Sequence, residues 1–142
     1  MRKIDTIIMH CSDSEWGNKR IIDRWHRQRG FRCIGYHYVI LNGVLWKTTG
    51  YYPELDGRVE KGRPIARQGA HAKRGGHNVG SIGICLIGKT DFTVAQFKSA
   101  RDLVWEIKND YRDMRIIGHS EVDDNKTCPV FDMDTFRDYL NA

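Results

Sequence analysis

Four stretches of the chain combine short length with apolar and β-branched side chains, which is the pattern of buried strands. They span residues 4–10, 36–41, 81–88 and 114–118. We expect 81–88 (SIGICLIG) to be a central strand, because its glycines stand where bulky side chains would otherwise pack. Residues 50–68 are rich in Gly, Pro and charge, and they indicate an irregular excursion.

A tight turn is predicted directly after the second of these strands. Asn42 and Gly43 form the dipeptide most typical of a two-residue hairpin loop, and Val44, Leu45 and Trp46 follow it. The sequence therefore predicts that the chain reverses at residues 42 and 43.

A first helix is predicted between the first two strands. Ile21, Ile22, Trp25 and the aliphatic stem of Arg29 recur at helical spacing. Gly30 is suited to end this helix.

Two further helices are predicted in the second half of the chain. Thr93 is a good N-cap, and Gln96 completes a capping box with it. A short C-terminal helix is expected to follow Asp132 or Asp134. The side chains expected to be buried are Phe97, Ala100, Val104, Ile107 and Tyr111 on the longer helix, and Phe136 and Leu140 on the shorter one.

The alternation of these elements predicts one α/β domain over residues 1–142, with a central mixed β-sheet flanked by helices. The length of 142 residues suits a single compact core. No internal repeat, low-complexity tract or linker interrupts the pattern.

Composition excludes several classes of protein. Hydrophobic residues make up 40% and charged residues 29%, as in globular rather than disordered chains. The net charge is +5, but acidic residues are interspersed with the basic ones, so we expect no nucleic-acid binding. No apolar run suits membrane insertion, and the N-terminus lacks the pattern of a secretory signal. We expect a monomer made in the cytoplasm.

The four cysteines are Cys11, Cys33, Cys85 and Cys128. None belongs to a Cys-x-x-Cys pair, so a four-cysteine zinc ribbon is not expected. In a cytoplasmic protein they are expected to be reduced. A thiol that binds metal in this chain would therefore do so together with histidines.

Two histidines and one cysteine form a candidate metal site. His10 and His119 stand at the C-terminal ends of apolar strands, at the edge of an α/β sheet where ligand-binding groups collect. Cys128 lies in the loop after His119. Two imidazoles and a thiolate suit tetrahedral zinc with one position open, which is the catalytic pattern. By spacing alone this signal is weak, because scattered His and Cys residues are more often ordinary packed side chains.

Two further side chains are candidates for a role beside such a metal. Lys126 precedes Cys128 by two residues, and its charge could face an oxyanion. Tyr36 could hold a water molecule or a substrate carbonyl with its hydroxyl group. The alternative is that neither has a role in the site: Lys126 would be a solvated lysine in a loop, and Tyr36 would be a packed tyrosine.

Several longer motifs make the chain resemble N-acetylmuramoyl-L-alanine amidases of the phage endolysin type, which share a fold with peptidoglycan recognition proteins. In chain order the motifs are IIMHCSDS, RWHRQRGF, GYHYVI, GRVEKGRPI, GAHAKRGGHNVGSIGICLIG, FTVAQF, IIGHSEV and KTCPVFD. They cover most of the chain, and the fifth motif and the last two are the most specific.

The resemblance implies a role for each candidate residue. It implies that His10, His119 and Cys128 bind one Zn²⁺ ion and that Tyr36 and Lys126 are catalytic. It also implies that His71 and Asn78 approach the substrate. The alternative role of His71 is to brace the site, and the alternative role of Asn78 is to make a turn.

This sequence departs from the compact phage pattern in two places. Residues 41–57 resemble an insertion that could extend a hairpin or build a wall of the groove. Its members include Trp46, Tyr51, Tyr52 and Pro53. The aromatic side chains could stack on sugar or peptide or could cover the core, and core cover is the favoured interpretation. The loop from 119 to 128 is also slightly longer, which affects the placement of Lys126 most.

The resemblance implies hydrolysis of the amide bond between N-acetylmuramic acid and L-alanine in bacterial peptidoglycan. In a phage or prophage endolysin, a separate membrane-permeabilising protein would give access to the wall. Three alternatives stay open: a peptidoglycan-binding module without activity, a cytoplasmic amidase that recycles muropeptide fragments, and a nucleic-acid-binding regulator. The complete set of candidate ligands favours an enzyme, and the acceptors that orient the two histidine ligands cannot be identified from the sequence.

Overall fold

The computed structural model describes residues 2–142 and contains one five-stranded sheet with three helices. The strands are β1 (Thr6–Cys11), β2 (Tyr38–Val44), β3 (Tyr51–Lys61), β4 (Ser81–Leu86) and β5 (Arg115–Gly118). The helices are α1 (Lys19–Gln28), α2 (Val94–Asp110) and α3 (Met133–Leu140). The predicted single α/β domain with a mixed sheet is confirmed.

The sheet has the strand order β3-β2-β4-β1-β5. Pairing is parallel between β2 and β4, β4 and β1, and β1 and β5, whereas β3 runs antiparallel to β2. β4 therefore lies at the centre, as its glycine-containing apolar sequence predicts. The parallel strands bring their C-terminal ends to one edge of the sheet.

Helices cover both faces of the sheet. The larger core cluster joins Ile7, Met9 and Ile84 of the sheet to α2 and α3. The cluster on the opposite side includes Ile22 of α1 and Cys85 of β4. Alternate residues of β4 therefore contribute to these two cores, as the period of two in a strand requires. On β1, Ile8 alternates with Ile7 and Met9 and belongs to a third, smaller cluster.

The predicted start of α2 is confirmed in detail. The side chain of Thr93 accepts a hydrogen bond from the amide of Gln96, and the Gln96 side chain accepts one from the amide of Thr93. The buried Gln96 amide group also donates to the carbonyl oxygens of Ile40 and Ile87. The capping box thus also fastens α2 to β2 and to the end of β4.

The predicted turn at Asn42 and Gly43 is wrong, because both residues lie inside β2. The register with β3 shifts on either side of Asn42, and Gly43 has a φ of 90°. A Cβ on Gly43 would lie 2.7 Å from the ring of Tyr51. The Asn-Gly pair therefore makes a bulge within the hairpin, and the reversal falls at residues 45–50.

The predicted irregular excursion from 50 to 68 is also wrong in its first half, which forms β3. This strand is at the edge of the sheet and is exposed along most of its length. An edge strand tolerates charged residues and Pro53, since within residues 2–142 one side of the β3 backbone has no strand paired to it. The Gly, Pro and charged residues of β3 therefore led to the wrong prediction of irregular structure.

Residues 41–57 extend a hairpin, which was one of the two interpretations of this segment. Tyr51 and Tyr52 are 55% and 41% exposed, so core cover is wrong for both side chains. Trp46 packs on Trp16 with ring centroids 4.5 Å apart. Among the described residues, no helix is both long and apolar enough to cross a membrane.

Candidate metal centre and cleft

Two neighbouring parallel strands bring His10 and His119 together. His10 is on β1, and His119 directly follows β5, which pairs with β1. Their ring centroids are 4.6 Å apart. Cys128 joins them from the following loop, and one donor atom from each of the three residues lies within 4.8 Å of the others. We call these three residues the metal triad.

The environment of the metal triad favours neutral imidazoles. His10 is only 1% exposed, and His119 is 8% exposed. Burial is the main cause that lowers the pKa of both histidines, and the neighbouring histidines lower the pKa of His10 further. Asp123 partly opposes the shift in His119. Each ring therefore offers a free lone pair at neutral pH.

The thiol of Cys128 is half-buried and lies against Cys11. Its sulfur accepts a hydrogen bond from the backbone amide of Cys11 at 2.8 Å, and the two sulfurs are 3.3 Å apart. The hydrogen bond between the sulfurs and then burial raise the pKa of the Cys128 thiol. Cys11 itself is buried, as expected, and is not part of the triad.

The donor set fits a tetrahedral zinc ion. Two neutral imidazoles and one thiol are ligands that zinc prefers, and three protein ligands leave a fourth position open. A divalent cation would also offset the raised pKa of Cys128, because it stabilises the thiolate. The expected convergence of the three residues is therefore present, while their ligation of zinc stays a prediction.

A cleft of about 740 Å³ opens over Cys128 and His119. Lys126 and Tyr36 both line it, so all the predicted metal-binding and catalytic residues lie in or directly beneath one concavity. Lys126 is exposed, and its positive charge contributes to the low pKa of His10 and His119. A charge in that position can act on an anion in the cleft.

Tyr36 lies two residues before β2, and not within it as predicted. The local reason is that Tyr36 and His37 use their carbonyl oxygens to accept hydrogen bonds from Arg63 and Gly62, before regular pairing begins. The ring of Tyr36 packs against His10, with centroids 5.0 Å apart. Burial raises the pKa of its hydroxyl well above the usual value, so the group stays protonated.

His71 and Asn78 both line the cleft, and both also brace its wall. The Asn78 side-chain oxygen accepts hydrogen bonds from the amides of His71 and Ala72 at 2.8 and 2.7 Å. Nδ1 of His71 lies 2.8 Å from Nε2 of His10. Burial lowers the pKa of His71 to about 3. Substrate contact by these two residues stays a prediction.

Three cations of the cleft were not among the sequence candidates. Arg29, Lys73 and Arg74 line it together with Lys126, while Arg74 is paired with Asp123 at 3.3 Å. Arg29 follows α1, Lys73 directly precedes a short 3₁₀ turn, and Arg74 is the first residue of that turn. Distant basic residues thus meet at one cleft, which no local sequence signal indicates.

The family model for N-acetylmuramoyl-L-alanine amidases matches residues 1–131. The endolysin of Escherichia phage T7 is 35% identical over 140 residues, with 91% of this chain and 82% of the relative covered. The endolysin of Enterobacteria phage T3 is 34% identical over the same shares of the two chains. These matches agree with the motifs found in the sequence.

Solved structures show the same architecture. The amidase LysC from Clostridium intestinale superposes with a TM-score of 0.82 at 26% identity, covering 99% of this chain and 87% of the other. The Drosophila peptidoglycan recognition protein LB gives a TM-score of 0.72 at 26% identity, with coverages of 91% and 76%. Both superpositions include most of the sheet and helices described above.

Proposed function

Because this chain belongs to the N-acetylmuramoyl-L-alanine amidase family, we propose that it is a zinc-dependent peptidoglycan amidase acting in phage lysis. Its reaction would be hydrolysis of the amide bond between N-acetylmuramic acid and L-alanine. The observation that carries the proposal is the convergence of His10, His119 and Cys128 at a cleft that also contains Tyr36 and Lys126. The endolysin relatives support the role in lysis.

The metal triad would hold the zinc ion through two imidazole nitrogens and one thiolate sulfur. When bound, zinc supplies Lewis acidity toward a carbonyl oxygen and toward water. The low pKa of His10 and His119 keeps both ligands unprotonated at neutral pH. The shared cleft would orient the scissile carbonyl of the lactyl group beside the triad.

Lys126 would stabilise the charge that develops on the carbonyl oxygen when water attacks. Because Lys126 is exposed in the free protein, its full effect on such a transition state requires that bound substrate shield the cleft from water. Tyr36 would orient the attacking water with its hydroxyl group. Because burial keeps that hydroxyl protonated, it acts as a hydrogen-bond donor rather than as a phenolate.

Digestion of purified peptidoglycan tests the proposal. We expect new amino groups of L-alanine, loss of this release with a chelator, and recovery on addition of zinc. Release of reducing sugar would instead identify a glycosidase, and binding without release would identify a recognition module. Release that persists after complete metal removal would contradict zinc dependence.

The biological role is tested by the choice of substrate. We expect intact cell-wall sacculi to be cleaved at least as readily as soluble muropeptides, because lysis requires attack on the assembled polymer. In cells, lysis should require a separate membrane-permeabilising protein. Cleavage restricted to soluble fragments would favour the recycling role.

A further inference from the structure

Three buried polar side chains, beginning with His10 of the metal triad, form a continuous row of short polar contacts. Nε2 of His10 is 2.8 Å from Nδ1 of His71, and Nε2 of His71 is 3.3 Å from Oγ of Ser81. The Ser81 hydroxyl in turn lies 2.6 Å from the carbonyl oxygen of His77. His10, His71 and Ser81 are 1%, 8% and 1% exposed. We call this arrangement the Ser81–His71–His10 chain.

The last contact fixes the direction of every hydrogen bond in the chain. A carbonyl oxygen can only accept, so the hydroxyl of Ser81 donates to His77. The oxygen of Ser81 is then free to accept from Nε2–H of His71. A neutral imidazole has one N–H group, so Nδ1 of His71 accepts from Nε2–H of His10. Nδ1 of His10 is left with the lone pair.

We propose that His71 and Ser81 are positioning residues that hold His10 as its Nε2–H tautomer, with Nδ1 as the metal ligand. This inference rests on the proposed function, since it assigns the orientation of one ligand in the same site. A hydrogen bond to the second nitrogen of a ligating histidine fixes its tautomer and ring orientation and increases its basicity.

The packing around His71 supports this role. A Cβ on Gly83 of β4 would lie 2.6 Å from Cγ of His71, so the ring lies directly against the strand backbone. The Asn78 side chain holds the backbone amides of His71 and Ala72. Contacts to the backbone of His71 and to its ring therefore both hold Nδ1 of His71 in place as the acceptor for His10.

The tautomer can be measured in the unaltered protein. Long-range ¹H–¹⁵N correlation spectra of the histidine rings distinguish Nε2–H from Nδ1–H. We expect His10 and His71 both to be Nε2–H tautomers in the metal-free protein, and His10 to stay so on addition of zinc. A Nδ1–H tautomer for His10 would overturn the inference.

Variants test the effect on the metal. His71→Ala should weaken zinc affinity about 10- to 100-fold and alter the d–d spectrum of the cobalt-substituted protein, because partners of ligating histidines have effects of this size. His71→Asn should restore most of the affinity, since its side-chain oxygen can accept near the position of Nδ1. Ser81→Ala should weaken affinity less than His71→Ala.

The matched control is His77→Ala. It removes an imidazole from the same loop but keeps the carbonyl oxygen used by Ser81, and the ring of His77 makes no hydrogen bond within residues 2–142. Wild-type affinity is expected. Equal zinc affinity for wild type and a folded His71→Ala variant would overturn the inference.

The outcomes separate this inference from the proposed function. A wild-type protein that neither binds zinc nor releases amino groups contradicts the proposed function, whatever the tautomer of His10. A wild-type protein that does both, with an unchanged affinity in the His71 variant, contradicts the inference alone. If His71→Ala does not fold, the ring spectra of the unaltered protein give the same decision, and unchanged zinc affinity in Ser81→Ala would contradict the inference.

Discussion

The backbone amide of Cys11 donates a hydrogen bond to the sulfur of Cys128, at 2.8 Å, although 117 residues separate the two cysteines. This contact fixes Cys128 beside the end of β1, where His10 precedes Cys11. An amide donor to sulfur also stabilises a thiolate relative to a thiol. The two cysteines therefore differ in role: Cys11 offers its backbone, and Cys128 faces the cleft with its side chain.

Substitution of each cysteine should separate these roles. Cys128→Ser is expected to lower both zinc content and amide hydrolysis, because it removes the only thiolate donor of the triad. Cys11→Ala should keep both properties, since the backbone amide remains. Metal analysis and an assay of amino-group release check the pair. Normal zinc content in Cys128→Ser would remove it from the site.

Lys126→Ala should retain zinc and lose turnover by about 100- to 1,000-fold, which is the usual effect of removing one donor to a developing oxyanion. The control is Lys98→Ala, which removes an exposed lysine from α2. It is expected to turn over as the wild type does. Loss of zinc in Lys126→Ala would instead show a structural role for this lysine.

Tyr36→Phe should lower turnover by about 100-fold or more while zinc affinity stays near the wild-type value. The variant keeps the ring that packs against His10 and removes only the hydroxyl group. Single-turnover kinetics together with zinc titration measure the two effects. An unchanged rate would assign Tyr36 to packing alone.

Much of the fold was accessible from local sequence. β4 is recognised by its short, apolar, glycine-containing sequence, and α2 by the Thr93–Gln96 capping box, because these signals act within a few residues. The Asn42-Gly43 pair led to a wrong prediction, because the same dipeptide occurs both in tight turns and in bulges. Which of the two forms depends on how β2 pairs with β3, where Asn42 pairs with Asp56 and the ring of Tyr51 lies against Gly43. Local sequence does not contain that information.

The candidate site, like the fold, was predicted from the sequence only in part. His10 and His119 were indicated by their positions at the ends of apolar strands, and Cys128 by its place in the loop after His119. The family motifs then supported all three candidates. The contact between His10 and His71 was not predicted, because it joins residues 61 positions apart through the packing of one ring on Gly83. Sequence patterns therefore identified candidate ligands but not the hydrogen bonds that orient them.

Thr93→Ala should reduce the free energy of unfolding by about 1 to 2 kcal/mol. The change removes the N-cap bond to Gln96 and the bond of Thr93 to Asp56 of β3. Urea unfolding measures the loss, and Thr90→Ala, in the exposed loop before the helix, is the matched control. Equal stability of both variants would contradict a stabilising role for the capping box.

Acidification should destabilise the metal-free protein through its buried histidines. Burial lowers the pKa of His26 and His37 to about 4 from a usual value of 6.5. Nδ1 of each ring accepts a backbone hydrogen bond, from Gly35 and Gly83 respectively. The folded state therefore resists protonation of both rings in this range.

Between pH 6.5 and 4 the unfolded chain takes up protons that the folded chain does not, so stability falls as pH falls. Each such histidine contributes a slope of at most about 1.4 kcal/mol per pH unit. Urea unfolding with a chelator at pH 7, 6 and 5 measures the total slope. His26→Asn keeps an acceptor for Gly35 but cannot titrate, and its slope should be shallower by up to that amount. A wild-type stability that is constant or increases on acidification over this range would contradict the neutral, buried state of these histidines.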